Sequence, residues 1–168
     1  MMAIKIVSYN LHGINQGRSL LPSLCQSYDI ILIQEHWLYP DELSVLDNIS
    51  DDFICIGTSA MTNVLGAGIR HGRPFGGVAT LIRKNLLAKF KCIARRERFI
   101  AIMIGDMLLF NIYMPVDTGT GECEEEIRYM LTDIMAVIHD SCAVMLLLAE
   151  ILILTLHVTV KHTVYLFH

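Results

Sequence analysis

The apolar positions of this chain fall into short blocks separated by polar turn signals, and the blocks alternate between two periodicities. Ile4 to Tyr9 is rich in β-branched and aromatic residues and predicts a strand, closed by the polar loop Asn10-Leu11-His12-Gly13. Ser19 to Ser27 places Leu20, Leu21 and Leu24 at helical spacing, with Pro22 confined to a first turn. Ile30-Ile31-Leu32-Ile33 is a continuous apolar run, as in a strand buried on both faces, and it stops at Gln34-Glu35-His36-Trp37. Pro40 to Asn48 predicts a short helix, with the proline near its start and acids in its first turn. Phe53 to Ile56 predicts another strand.

Thr58 to Phe75 is glycine-rich, holds Pro74 and two arginines, and predicts a long loop, a class of segment that often carries function. Gly76-Gly77 opens the strand Val78 to Ile82. Phe90 to Ile93, Phe99 to Ile104 and Met107 to Tyr113 follow as strands, with Gly105-Asp106 as a tight turn. Cys123 to His139 places Ile127, Met130, Leu131, Ile134, Met135 and Ile138 at helical spacing, behind the acidic start Glu124 to Glu126. Ala143 to Leu148 predicts one more buried strand. From Leu152 to His168 the chain is β-prone and apolar without turn residues, a break in rhythm. The alternation predicts one α/β domain over residues 1–150 and an atypical apolar tail over 151–168.

Composition narrows the class. Hydrophobic residues make up 54% and charged residues 18% of the 168, which excludes disorder. The formal net charge of −4 argues mildly against tight binding to nucleic acid through phosphates. Local basic clusters do occur: Arg70, His71 and Arg73 in the long loop, then Arg83, Lys84, Lys89, Lys91, Arg95, Arg96 and Arg98. The five cysteines are scattered and form no C-x-x-C pair, which suits reduced thiols inside a cell. No signal peptide is indicated, and Ala143 to Leu156 is shorter than the roughly 20 apolar residues that span a bilayer. The expectation is an intracellular protein without membrane association and with no stable protein partner.

Chemistry is suggested by polar residues placed where apolar strands end. Asn10 follows the first strand, Gln34 and Glu35 the second, and Asn111 and Tyr113 a later one. Ligand sites in layered α/β folds assemble at such strand exits. A carboxylate there, such as Glu35, is costly to desolvate without a partner, and a hard cation such as Mg²⁺ is a natural one.

Four segments stand in a familiar order: Ser8-Tyr9-Asn10-Leu11-His12-Gly13, Ile33-Gln34-Glu35-His36-Trp37, Gly76-Gly77-Val78-Ala79 and Asn111-Ile112-Tyr113-Met114-Pro115. Together they resemble the endonuclease/exonuclease/phosphatase superfamily. With the Arg73-Pro74-Phe75-Gly76-Gly77 loop, the pattern is most similar to the endonuclease domain of non-LTR (LINE-type) retrotransposons. The resemblance implies a four-layered α/β sandwich, two mixed β-sheets flanked by helices, of which this chain would supply the first two-thirds and lack the C-terminal part. It implies Glu35 as the main ligand of Mg²⁺ (or Mn²⁺) and Asn10 as a support for the metal or its waters. Tyr113 would hydrogen-bond the scissile phosphate or the attacking water, and Arg73 would contact a DNA phosphate. His12 and His36 match no role in the pattern and are expected to be packed or solvated.

Two motifs of the superfamily are missing. The strand after the long helix should end in Gly-Asp-x-Asn, but reads Ala143-Val144-Met145-Leu146-Leu147-Leu148-Ala149-Glu150. Ala149 falls at the position of the water-activating Asp, and Glu150 could replace it only if the strand exit shifted. The later Ser-Asp-His segment has no counterpart before His168. Ancestrally the expected function is Mg²⁺-dependent nicking of DNA, nuclear if it acts on DNA, and impaired in this chain. The alternatives are a phosphatase of the same superfamily on a small phosphorylated substrate, and a non-catalytic remnant.

Overall fold

Pleat alternation sorts the apolar residues onto three separate cores. The computed structural model describes residues 4–61, 74–115, 122–141, 145–150 and 162–167. They form β1 (Ile4–Asn10), α1 (Ile14–Gly17), α2 (Leu21–Ser27), β2 (Ile30–Gln34), a 3-10 helix at Pro40–Asn48, β3 (Phe53–Thr58) and β4 (Val78–Arg83). A second 3-10 helix at Lys84–Lys89 leads to β5 (Phe90–Arg95), β6 (Phe99–Ile104), β7 (Met107–Ile112), α3 (Glu122–Asp140), β8 (Met145–Glu150) and β9 (His162–Phe167).

Two mixed sheets result. One has the order β3-β4-β2-β1-β9, the other β5-β6-β7-β8. β1 and β2 run parallel, with Ile6 beside Ile30 and Asn10 beside Gln34, so both strands leave the sheet at one edge. Parallel neighbours need a crossover, which α1 and α2 supply. β7 and β8 are parallel in the same way around α3.

In β2, Ile30 and Leu32 face the other sheet, while Ile31 and Ile33 face the helices. The continuous apolar run therefore marks a strand buried on both sides. Between the sheets, Ile6, Ile30, Leu32, Val78 and Ile82 meet Ile100, Ile102, Ile104 and Leu109. Outside the first sheet, Val7, Ile31, Ile33 and Leu81 pack on Leu11, Ile14, Leu21 and Cys25. Outside the second, Phe99, Phe110 and Ile112 pack on Met130, Ile134 and Val137 of α3. Helix, sheet, sheet, helix is the four-layered arrangement expected. Each buried Ile or Leu contributes about 1.5–3 kcal/mol relative to exposure.

Local differences from expectation have local causes. The helix expected from Ser19 starts at Leu21, with Pro22 in its first turn, and α1 precedes it. The Pro40 helix is a 3-10 helix, its first turn tied by a hydrogen bond from the Tyr39 N–H to Glu42 Oε2 (3.0 Å). β7 ends at Ile112, one residue before the expected Tyr113, although the Tyr113 N–H still donates to the Arg98 carbonyl (2.9 Å). On α3, Met130 and Ile134 are buried, but Leu131 and Met135 are exposed. Part of the apolar tail is a strand, β9, antiparallel to β1 with Val7 beside Val164. No helix among the described residues is long and apolar enough to cross a membrane.

Candidate active site

The strands β1 and β2 end where β4 begins, and the backbone beyond β2 is laced between its neighbours. The Leu11 N–H donates to the Gln34 carbonyl (2.9 Å), that of Gly13 to Glu35 (2.7 Å) and that of Ile14 to His36 (3.0 Å). From the other side, the Glu35 N–H donates to the Gly77 carbonyl (2.9 Å) and that of Trp37 to Gly76 (3.1 Å). This lacing holds three non-glycine residues in left-handed backbone: His12 (φ 50°), Glu35 (φ 55°) and Trp37 (φ 55°). Such conformations cost on the order of 1–3 kcal/mol each and persist only where surrounding structure imposes them.

Two glycines make the lacing possible. Gly13 has φ 94°, and a Cβ there would stand 2.5 Å from the Trp37 ring. Gly77 has φ 84°, and a Cβ there would stand 2.4 Å from the His36 ring.

The carboxylate of Glu35 lies at the centre, 4% exposed. The Asn10 side-chain N–H donates to its Oε1 (2.9 Å), and His12 Nδ1 stands 3.1 Å from its Oε2. The Tyr113 hydroxyl, arriving from the end of β7, hydrogen-bonds the same carboxylate. Burial pushes the Tyr113 hydroxyl up to about 12, the Glu35 charge and hydrogen bond push the same way, and Arg98 opposes them. The ring of Tyr113 lies 5.6 Å from the Arg98 guanidinium, which is itself held by Glu126 (2.6 Å). Asn10 Oδ1 accepts the His12 N–H (3.0 Å), which turns the loop back onto Glu35.

The donor set fits one divalent cation in part. A nearly buried carboxylate has an amide, a phenol and an imidazole against it, and among the described residues no Lys or Arg is paired with it. Mg²⁺ is commonly held by one or two carboxylates plus waters and substrate phosphates. Among the described residues, no three His, Cys, Asp or Glu side chains converge.

Asn10, Glu35 and Tyr113, singled out from the sequence, thus come together. Arg73, with Arg70 and His71, lies outside the described residues. Gln34 and Asn111 do not join the ligand space: Asn111 is 1% exposed and Gln34 fully buried. Gln34 Nε2 donates to Asn111 Oδ1 (2.6 Å), and Asn111 Nδ2 donates to the Ile33 and Ala79 carbonyls (3.2 and 2.9 Å). They cross-link the two sheets beneath the site.

His36 is fully buried, its Nδ1 accepting the Leu38 N–H and its Nε2 bonding the Thr58 carbonyl, each at 3.0 Å. Burial lowers its pKa to about 4, against weaker opposition from backbone hydrogen bonds with Thr58 and Val78. His12 is exposed, as expected, and its ring also stands against the central carboxylate. The signal was its place two residues beyond a strand-end Asn, weak without the fold.

Three of the basic residues are used internally. Arg83 binds Asp29 (3.1 Å) and the Tyr28 carbonyl (2.7 Å), Arg96 binds Asp133 (2.7 Å) and Arg98 binds Glu126. Lys84, Lys89, Lys91 and Arg95 remain exposed.

The backbone register also bears on the missing carboxylate. Ala149 pairs with Asn111 and Glu150 with Ile112. Asn111 lies on the face toward the first sheet, and Ile112 on the face toward α3. Glu150 therefore takes a register position on the helix-facing side of β8, and Ala149 the one level with Asn111.

Neither a protein-family model nor a curated protein matches the sequence. Solved structures do resemble the fold. A 3′ phosphatase from Neisseria bound to product DNA hairpin superposes with TM-score 0.60 at 15% identity, over 88% of this chain and 56% of that one. An AP endonuclease from Leishmania major gives 0.55 at 15% identity, over 82% and 47%. The APE2 catalytic domain of Xenopus laevis gives 0.56 at 18% identity, over 82% and 55%. The chain spans about half the length of each. At such identities the likeness is one of architecture: this chain has the α/β-sandwich fold of the AP endonucleases and of that 3′ phosphatase, the endonuclease/exonuclease/phosphatase fold.

Proposed function

We propose that this chain carries the metal-binding half of a Mg²⁺- or Mn²⁺-dependent phosphodiesterase of the endonuclease/exonuclease/phosphatase type, derived from a LINE-type retrotransposon endonuclease that nicks DNA. The observation that carries the reading is the convergence of Asn10 and Tyr113 on the nearly buried Glu35 carboxylate at shared strand ends. The retrotransposon origin rests on the order of the four motifs between Ser8 and Pro115. Acting on DNA, the protein would be intracellular and nuclear, with Arg73 as a candidate phosphate contact.

Glu35 would hold the cation, which supplies Lewis-acid polarisation of a phosphate oxygen when bound. Asn10 fixes the rotation of the Glu35 carboxylate through its N–H on Oε1. Tyr113, protonated far above neutral pH, is a hydrogen-bond donor for a phosphate oxygen. Nothing at the register position of Ala149 can take a proton from water, so activity on the order of 10³-fold or more below that of a complete enzyme is expected.

The test is nicking of supercoiled plasmid by the full chain with MgCl₂ or MnCl₂, against Glu35→Ala. A slow, divalent-dependent product absent from Glu35→Ala supports the reading; nicking indifferent to Glu35 overturns it. A second reading, a phosphatase, is favoured by the similarity to a 3′ phosphatase and by the net charge of −4. Release of inorganic phosphate from 3′-phosphorylated DNA or a small phosphate ester, without nicking, would distinguish it. Soluble, folded protein with neither activity would mark a non-catalytic remnant.

A further inference from the structure

We infer that Arg98 is a positioning residue of this site: lying over the ring of Tyr113 and tied to α3 through Glu126, it sets the direction of the Tyr113 hydroxyl toward the Glu35 carboxylate. The inference rests on Tyr113 serving the reaction proposed above. Tyr113 follows the last residue of β7, so strand pairing no longer orients its side chain. Arg98 holds it twice instead. The Tyr113 N–H donates to the Arg98 carbonyl (2.9 Å), and the Arg98 guanidinium carbon stands 5.6 Å from the ring centroid. A guanidinium over an aromatic face is drawn to the negative face of the ring quadrupole.

The guanidinium is itself fixed. Its Nε donates to Glu126 Oε1 (2.6 Å), a charge-assisted bond, and the Arg98 side chain is only 19% exposed. Arg96, in the same turn between β5 and β6, gives the comparison. Arg96 Nε donates to Asp133 of the same helix (2.7 Å), and that side chain is half-exposed. Both arginines tie the turn to α3, but Arg98 is largely buried and carries the Tyr113 ring under its guanidinium.

Gly76 meets the same ring. It has φ 61°, and a Cβ there would stand 3.2 Å from Tyr113 Cε1 and 3.0 Å from the Ala60 Cβ. The ring therefore sits against main chain as well as beneath the guanidinium, and its hydroxyl reaches Glu35. Burial, and after it the Glu35 charge, raise the hydroxyl, while the Arg98 charge opposes them. Tyr113 keeps its proton at neutral pH with or without that opposition. What Arg98 supplies is direction, and orientation is a large part of what a donor contributes to a reaction.

The test uses the full chain labelled with carbon-13 at the tyrosine Cζ, whose NMR signal reports the hydrogen bonding of the hydroxyl. Loss of one signal in Tyr113→Phe assigns Tyr113. Arg98→Met is the main variant, and Arg96→Met is the control, since it loses the corresponding tie to α3 through Asp133. The Tyr113 signal should move or broaden in Arg98→Met and stay in place in Arg96→Met. Glu126→Ala, at a 46% exposed position, should move it in the same way and serves if Arg98→Met does not fold. On supercoiled plasmid with MgCl₂, kcat of Arg98→Met should fall about 10-fold with KM within about twofold. Arg98→Met/Tyr113→Phe should be no slower than Tyr113→Phe alone, because the two changes disable one unit. A Tyr113 signal unmoved in both Arg98→Met and Glu126→Ala, or losses that multiply in the double variant, overturns the role of Arg98 alone. Turnover indifferent to Tyr113→Phe overturns the reading on which that role rests. In a chain without divalent-dependent turnover that reading also fails, and the Tyr113 signal by itself decides whether Arg98 directs the hydroxyl.

Discussion

Gln34 Nε2 lies 2.6 Å from Asn111 Oδ1, a hydrogen bond that runs from β2 of the first sheet to β7 of the second. The same Gln34 nitrogen reaches Ser8 Oγ (3.1 Å), and the Asn111 amide nitrogen reaches Thr80 Oγ1 (3.3 Å). A polar cluster so placed fixes how the two sheets register just below Glu35, because an apolar contact would tolerate sliding and a set of directed bonds does not.

Asn111→Ala should therefore destabilise the fold by about 2–4 kcal/mol, since it strips a buried partner from Gln34 and opens a small cavity. Urea denaturation of the single variants and of Gln34→Ala/Asn111→Ala would check this. The double variant should cost clearly less than the sum, as residues of one network do not add.

Gly77→Ala should be far more damaging than Gly105→Ala, although both glycines have positive φ. At Gly77 the new methyl would meet the His36 ring at 2.4 Å, and at Gly105 nothing stands within 4 Å. A cost of about 1 kcal/mol is expected at Gly105 from backbone alone, and about 3 kcal/mol or more at Gly77, where overpacking is added. Thermal melts of the two variants give the comparison.

Stability should fall on mild acidification. His36 is neutral in the fold, with a pKa near 4, while in the unfolded chain it titrates near 6.5. The unfolded state binds more protons between those values, so the contribution is complete above pH 6.5 and is lost as pH falls through 4. Its size is about 3 kcal/mol by linkage. Urea midpoints at pH 7.5 and pH 4.5 would reveal it, and His36→Gln, which cannot titrate, should show a shallower dependence.

Tyr113→Phe should separate chemistry from folding. The hydroxyl contributes one hydrogen bond to a charged group, about 1.5–3 kcal/mol at most, so the variant should remain folded. Divalent-dependent turnover, where measurable, should drop about 10²-fold. Because the hydroxyl stays protonated up to about 12, wild-type turnover should show no ionisation of Tyr113 between pH 6 and 9. A tyrosine-dependent step in that window would contradict the assignment.

Much of this was legible along the chain. The both-face burial of β2 follows from Ile30 to Ile33 alone, because four consecutive apolar side chains on a pleat must point both ways. Asn10, Glu35 and Tyr113 could be singled out because a polar residue at the end of an apolar strand needs a reason to be there. Glu150 shows the limit. Its distance along the chain left open whether it could serve, and only the pairing of Glu150 with Ile112 assigns it to the helix-facing side of β8. β9 shows another: its residues are β-prone, but nothing in them names β1 as the partner.

The sequence by itself determined most of the elements and the identity of the residues at the strand exits, since periodicity is a property of neighbouring positions, while the layering came only from the resemblance of the motifs. The tertiary structure decided which of those residues share one carboxylate and which lie beneath it. Asn111 and Tyr113 are two positions apart, yet one locks the sheets while the other reaches Glu35. His12 looked like a loop residue until the backbone bonds from Leu11, Gly13 and Ile14 to β2's exit brought it to Glu35. Those bonds join positions 22 or more apart, and strand pairing across such separations is chosen by the packing of the whole domain rather than by either segment.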